Sequence, residues 1–283
     1  MPRPSPFSVG SSSALPRPVF LCSLHLPPWT DIVPAFTRAS TSPVKDTMLA
    51  AALRVSWRPD LTRSYTTFAN PPKVIEHGLA WSCLSAENEK RCRAALEAPT
   101  AQYCNAKASA AVLVPLCSVA GAPAFLYTLR SSTLHGRHKG DVSFPGGKCD
   151  PSDQSVIHTA LRETQEELGI RVEEENVWGV MKPLTLWTGM VIVPVLANIG
   201  SMESLSLNPN RAEVEDVFTL TLPHICEAQN RGYTHFRWHG QYRYTIPVFL
   251  NGRYKVWGIT AVMTDSALKL LLPGLYRSPL RLS

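Results

Sequence analysis

What the chain lacks narrows it first. Nowhere do about 18 apolar residues run consecutively, so the sequence contains no helix long enough to span a bilayer. Its seven cysteines, at positions 22, 83, 92, 104, 117, 149 and 226, are odd in number and include no CxxC pair and no Cys/His cluster. That scatter speaks against a disulfide framework and a structural zinc site, and for a reducing interior compartment. No internal repeat is present. Basic charge is scarce over most of the chain: of the net +6, +5 lies in residues 1–75, where eight Lys and Arg face three Asp and Glu. The other 208 residues are nearly balanced, which excludes a basic surface of the kind a nucleic-acid-binding domain needs. What remains is ordinary globular composition, 45% apolar and 18% charged, which excludes disorder of the whole chain. The length, 283 residues, allows one large domain or two small ones.

The first 75 residues also hold 12 of the 24 prolines. Residues 1–47, with PRPSP, SSSALPRP and LPPW, read as a disordered extension. The character changes at Met48. Residues 48–70 mix Arg54, Arg58 and Arg63 with Leu49, Leu53, Val55 and Trp57 and carry one acid, Asp60. An amphipathic, arginine-rich, acid-poor stretch is how a mitochondrial presequence reads, and a solvated basic linker is the other reading of the same composition. A presequence must be N-terminal, so the first reading carries the expectation that the functional protein begins at Met48. Residues 71–108 read as a linker with one short helix, capped by Ser85 and ended by Pro99.

From Ser109 the pattern is α/β, and the domain is expected to run over residues 109–274, leaving 275–283 as a tail. Strands are predicted over residues 110–116, 124–130, 142–144, 177–181, 190–198 and 214–220, with a hairpin formed by 233–238 and 243–250. Helices are predicted over 153–168, 222–230 and 260–272. Interleaved strands and helices with short turns point to a mixed β-sheet sandwiched between α-helices.

The stretch from Phe144 to Ile170, FPGGKCDPSDQSVIHTALRETQEELGI, carries the chemistry. Glu163, Glu166 and Glu167 stand three and four positions apart, so a helix places them on one face, opposite a burying stripe of Ile157, Leu161 and Leu168. Three neighbouring carboxylates repel unless a cation neutralises them, and carboxylate oxygens suit a hard ion such as Mg²⁺ or Mn²⁺ that also accepts phosphate oxygens as ligands. A solvated acidic face is the plainer reading of such a cluster. The Pro-Gly-Gly loop ahead of it, where glycine lets the backbone come close, shifts the balance toward a metal site.

Gly147, Asp153, Arg162-Glu163, Glu166-Glu167 and Gly169-Ile170 resemble the Nudix box, GX5EX7REUXEEXGU, in which U is bulky and apolar. Asp153 stands where the box has Glu, eight residues rather than seven separate it from Arg162, and Thr164 occupies the first U. Upstream, Leu126-Tyr127-Thr128-Leu129-Arg130-Ser131 followed by Gly140 to Gly147 is similar to the coenzyme A motif, LLTXR(S/A)X3RX3GX3FPGG, of the CoA-pyrophosphatase branch of that family. Here Tyr127 replaces the second Leu, His135 falls at the second Arg, with Arg137 close by, and one residue is added before Gly140.

The resemblance implies the Nudix fold and a metal-dependent hydrolase that cleaves the diphosphate of coenzyme A or an acyl-CoA. The products would be adenosine 3′,5′-bisphosphate and a 4′-phosphopantetheine. Glu163, Glu166 and Glu167 would hold Mg²⁺ or Mn²⁺. Arg162 would orient the glutamates, and Glu163 or the loop residue Glu213 would serve as base. Arg130, Arg137, Lys139, Gly146 and Gly147 would meet the substrate. The only expected partner is the small-molecule substrate, with no nucleic acid and no membrane span, and the expected state is a monomer in the mitochondrion. Two alternatives stay open: a Nudix hydrolase of another nucleoside diphosphate, such as ADP-ribose or NADH, and a catalytically silent Nudix-fold binding module.

Overall fold

The computed structural model describes residues 82–134, 138–186, 188–238 and 241–278. The extension over 1–47, the arginine-rich stretch over 48–70, residues 71–81 of the linker, and His135 and Arg137 lie outside the described residues.

The first long element is helix α1, Ala86–Tyr103. Ser85 caps it, as its sequence position suggests, through a side chain that accepts the Asn88 N–H at 3.2 Å. Pro99 does not end it, contrary to expectation; the helix continues one further turn. Packing holds that turn in place of the hydrogen bond that proline forfeits. Thr100 Oγ1 accepts the Val180 N–H at 2.8 Å, and Leu96 lies so close to Gly179 that a Cβ there would meet its own Cβ at 2.6 Å. The expected short helix is thus one turn longer than its sequence suggests, and it contributes Cys92 and Leu96 to the core.

Strands β1 (Ala110–Val119) and β2 (Ala122–Arg130) form a hairpin, and β3 (Val142–Ser143) and β4 (Gly146–Lys148) follow. Next come helix α2 (Val156–Leu168), β5 (Val177–Val180), β6 (Leu184–Thr185), β7 (Val191–Ser201) and β8 (Val214–Thr221). The main sheet runs β3-β2-β1-β7-β5, with β4 also on β1, β6 on β7 and β8 on β2. Every pairing is antiparallel except β1 with β7. A short helix α3 (Leu222–Cys226), the hairpin β9 (Arg231–Trp238) and β10 (Gln241–Phe249), and helix α4 (Gly258–Leu271) complete the chain. β4 and β6 are absent from the sequence expectation, because two or three residues carry no readable period.

The period of two along each strand sorts the core into two layers. Ala111, Leu113, Ala124, Leu126, Val193 and Val195 face α2, meeting Val156, Ile157, Ala160 and Leu168. Val114, Leu116, Phe125, Tyr127 and Leu196 face the other way, toward Leu96 of α1 and Ala261, Met263, Ala267 and Leu268 of α4. Helices therefore cover both faces of a mixed sheet, as expected. Thr164, polar at an apolar position, is fully buried and satisfies its hydroxyl on the Ala160 carbonyl one turn back at 2.7 Å.

Candidate functional site

Helix α2 is delimited at both ends by local chemistry. Ser155 accepts the His158 N–H at 3.1 Å at the start, and Gly169, at φ 70°, ends it in the left-handed conformation. Gly169 has little space: a Cβ there would come within 2.9 Å of Asn208. That contact belongs to a second cap. The backbone N–H groups of Asn208 and Asn210 donate to the carbonyls of Leu168 and Glu167 at 2.8 and 2.9 Å, satisfying two carbonyls that the helix end leaves open. The same loop continues to Glu213, whose carbonyl accepts the Ser131 N–H at 2.8 Å and whose side chain accepts from Asn210 at 3.1 Å. Capping the helix is thus what carries Glu213 to the glutamate face.

On that face the three glutamates have different surroundings. Glu166 is exposed, Glu163 is mostly covered, and Glu167 is 3% exposed. Burial pushes the Glu167 carboxyl up to about 7; Arg130 and the Gly146 N–H oppose the shift, while Glu213 and Glu163 add to it. Glu163 moves in the same direction, chiefly from burial, with Arg162 opposing and Glu166 and Glu213 reinforcing. Glu163, Glu167 and Glu213 therefore lie in one another's field.

Two glycines meet these acids. Gly146 approaches β1 so closely that a Cβ would stand 2.5 Å from the Ala111 carbonyl oxygen, and its φ of 148° admits glycine alone without strain. Its N–H donates to Glu167 Oε2 at 3.3 Å. At Gly147 a Cβ would occupy the position of the Glu163 carboxylate. Gly146 and Gly147 thus give the two glutamates room and, at Gly146, a donor.

Arg162 organises the site. Its Nε and Nη2 donate to the two oxygens of Asp153 at 2.9 and 3.0 Å, Nη1 donates to Glu166 at 3.0 Å, and Nη2 lies 3.0 Å from Glu163. Nη2 also donates to the Lys148 carbonyl at 3.2 Å, tying α2 to β4. Asp153 is 3% exposed and accepts further bonds from Thr159 Oγ1 at 2.7 Å and the Asp150 N–H at 2.9 Å. The hydrogen bonds from Arg162 hold its carboxyl far below the usual carboxylate range. The shorter acid and the added residue relative to the Nudix box therefore still end in a two-point arginine clamp. The importance of Asp153, which the spacing of the glutamates does not reveal, was signalled only by the box.

Arg130 reaches the site from the end of β2, with Nη1 3.7 Å from Glu167 Oε1 and a buried Nε that has no partner. Lys139 is exposed on the loop before β3, and neighbouring His138 lies 3.1 Å from Asp141. Arg137 lies outside the described residues. Glu215, the second residue of β8, accepts the Ser132 N–H at 3.1 Å.

Among the described residues no three His, Cys, Asp or Glu side chains are arranged as a ready cage for an ion. Arg162 holds Glu163 and Glu166, while Glu167 turns to Gly146 and Arg130. The donors nonetheless fit a hard divalent cation: all are carboxylate oxygens, Glu167 is buried without full compensation of its charge, and neighbouring acids add to the raised proton affinity of Glu163 and Glu167.

This arrangement, a glycine-lined strand against a helix carrying REXXEE on a mixed sheet, defines the class. The NUDIX domain model matches residues 107–232, and the chain belongs to the Nudix hydrolase family, whose members generally require a divalent metal. The chain is 61% identical over 195 residues to the mitochondrial coenzyme A diphosphatase NUDT8 of Homo sapiens, a match covering 69% of this chain and 83% of that one. It is 60% identical over 197 residues to the protein of the same name from Mus musculus, covering 70% and 94%. Nudix hydrolase 3 of Caenorhabditis elegans is 33% identical over 193 residues, covering 62% and 78%.

Proposed function

We propose that this protein hydrolyses the diphosphate bond of coenzyme A and acyl-CoA esters, releasing adenosine 3′,5′-bisphosphate and 4′-phosphopantetheine or its acyl derivative. The observation that carries the substrate is the 60–61% identity, across 83% and 94% of their length, to two proteins named for coenzyme A diphosphatase activity. The coenzyme A motif leading into Gly146 and Gly147 supports the same substrate.

Glu163, Glu166 and Glu167 would hold the divalent ion, Mg²⁺ or Mn²⁺. When bound, the ion withdraws charge from the diphosphate oxygens and favours attack by water. The oxygen of water bonds to one phosphorus, and the bond from that phosphorus to the bridging oxygen breaks. The leaving phosphate keeps the electron pair, and the water proton passes to a carboxylate. Glu213 stands beside Glu163 and Glu167 and suits that proton. Arg162 acts as a positioning residue, since its clamp on Asp153 fixes the guanidinium that aligns Glu163 and Glu166. Arg130 and Lys139 offer positive charge to the phosphates. The Arg-rich stretch over 48–70 and the mitochondrial designation of both relatives support delivery of this chain to mitochondria.

The test is product analysis by chromatography after incubation with CoA, an acyl-CoA, ADP-ribose and NADH, with Mg²⁺ and Mn²⁺ in turn. Adenosine 3′,5′-bisphosphate from the two coenzyme A substrates is the expected result. Faster turnover of ADP-ribose or NADH would overturn the substrate, and no turnover of any would overturn the enzyme.

A further inference from the structure

The segment between β10 and α4, Arg253-Tyr-Lys-Val-Trp257, takes no part in the site described so far, yet it is built against it. Val256 is fully buried and exchanges two backbone hydrogen bonds with Phe249, at 2.8 and 3.0 Å. The Tyr254 hydroxyl donates to Asp216 at 2.8 Å, and Asp216 pairs with Leu129 across the sheet, one residue before Arg130. Three residues past Trp257, the buried Thr260 donates its hydroxyl to the Val142 carbonyl at 3.0 Å. The residue before Val142, Asp141, accepts the Arg130 N–H at 3.0 Å, and Arg130 is the residue whose guanidinium faces Glu167. An unbroken run of contacts therefore leads from the glutamate face to the start of α4.

Within this rigid frame Trp257 is 37% exposed, one of two large apolar side chains so exposed among the described residues. Lys255 holds its ammonium 5.5 Å from the centre of the indole ring and has no carboxylate partner among the described residues. The space beside the indole is open: a Cβ on the adjacent Gly258 would meet nothing within 4 Å. An anchored, part-exposed indole with an ammonium beside its ring offers a ligand an aromatic face and a positive charge together.

We propose that Trp257 and Lys255 form the seat for the adenosine 3′-phosphate end of the substrate, the base stacking on the indole and the 3′-phosphate meeting the ammonium. This rests on the coenzyme A reading and adds which end of the molecule lies on the α4 side of the site. Base and phosphate together match the pair: an aromatic face takes any nucleobase, and a cation takes a dianion. A fatty-acyl chain would have to lie against an unpaired ammonium.

Steady-state kinetics with CoA, 3′-dephospho-CoA and a long-chain acyl-CoA, on wild type, Trp257→Ala, Trp257→Phe and Lys255→Ala, test it. Trp257→Ala is expected to raise KM for CoA roughly tenfold, the size of one lost base stack, with kcat moving less than twofold. Trp257→Phe should restore most of the loss. Lys255→Ala should raise KM for CoA by up to roughly fivefold, the size of an exposed charge pair, and leave KM for dephospho-CoA unmoved. In parallel, adenosine 3′,5′-bisphosphate is titrated into metal-free wild type and Trp257→Ala by calorimetry, with weaker binding expected for the variant. This titration decides the proposal even if wild type fails to hydrolyse CoA, an outcome that would sink the substrate reading instead. An unchanged KM and unchanged bisphosphate binding in a Trp257→Ala protein with a wild-type melt would overturn the assignment. So would a KM increase confined to long-chain acyl-CoA.

Discussion

Replacing Glu167 by Gln separates what this residue does for the fold from what it does for the chemistry. Its carboxyl is 3% exposed and pushed from 4.5 to about 7 by burial. Each tenfold change in proton affinity is worth about 1.4 kcal/mol, so folding the metal-free chain with Glu167 ionised costs about 3 kcal/mol. The sign follows from a raised carboxyl: the stability of the neutral form is present in full below pH 4.5 and is lost as the pH rises toward 7. Glutamine stays neutral and can still accept the Gly146 N–H. In EDTA at pH 8, Glu167→Gln should therefore melt roughly 6–12 °C above wild type, the shift about 3 kcal/mol produces in a domain of this size. At pH 5 the gain should shrink to under about 1 kcal/mol, because wild-type Glu167 is then protonated in the folded state. The same variant should lose turnover of CoA by on the order of a hundredfold or more with saturating Mn²⁺, as removal of a ligand for a charge-stabilising ion predicts. Thermal melts at the two pH values and a turnover assay check all of this. A variant less stable than wild type at pH 8, or a gain equal at both pH values, would refute the reasoning that burial sets the charge of Glu167.

Gly147→Ala places a methyl group where the Glu163 carboxylate lies, so kcat should fall on the order of a hundredfold while circular dichroism stays that of wild type. Asp153→Ala removes the buried anchor of Arg162 and should lower stability by about 3 kcal/mol in denaturant titrations and depress kcat with it. Because the Asp153 carboxyl is held far below its usual range, its stabilisation is present above about pH 4 and lost on further acidification, and Asp153→Asn should flatten that acid limb of the stability profile. Deleting residues 1–47 should leave kcat/KM within about twofold, since a proline- and serine-rich segment with no sustained hydrophobic period offers no continuous face to pack on the domain. Imaging a chain that starts at Met48 should show mitochondrial signal, and a diffuse cytosolic signal would remove the presequence reading.

Much of this protein is decided by local order along the chain. Ser155 and Gly169 mark the ends of the helix that carries the glutamates because capping and left-handed termination depend only on neighbouring residues. The spacing of Glu163, Glu166 and Glu167 sets a shared face because 3.6 residues make a turn in any protein. The alternation along β1, β2 and β7 likewise assigns each side chain to a layer before the layers exist. Other features depend on what lies across a gap in sequence. Pro99 looks like a helix end until Leu96 and Thr100 find Gly179 and Val180 some 80 positions away. Glu163, Glu166 and Glu167 read as equals along the chain, yet only Glu167 is sealed in, under Gly146 and beside Arg130. Glu213 comes to that face because its loop caps the helix that carries the glutamates, and the start of α4 is tied to β3 because Thr260 bonds to Val142. Desolvation and charge–charge distance are properties of packed surfaces rather than of spacing, so which acid carries an unusual charge was settled only when the sheet brought those segments together.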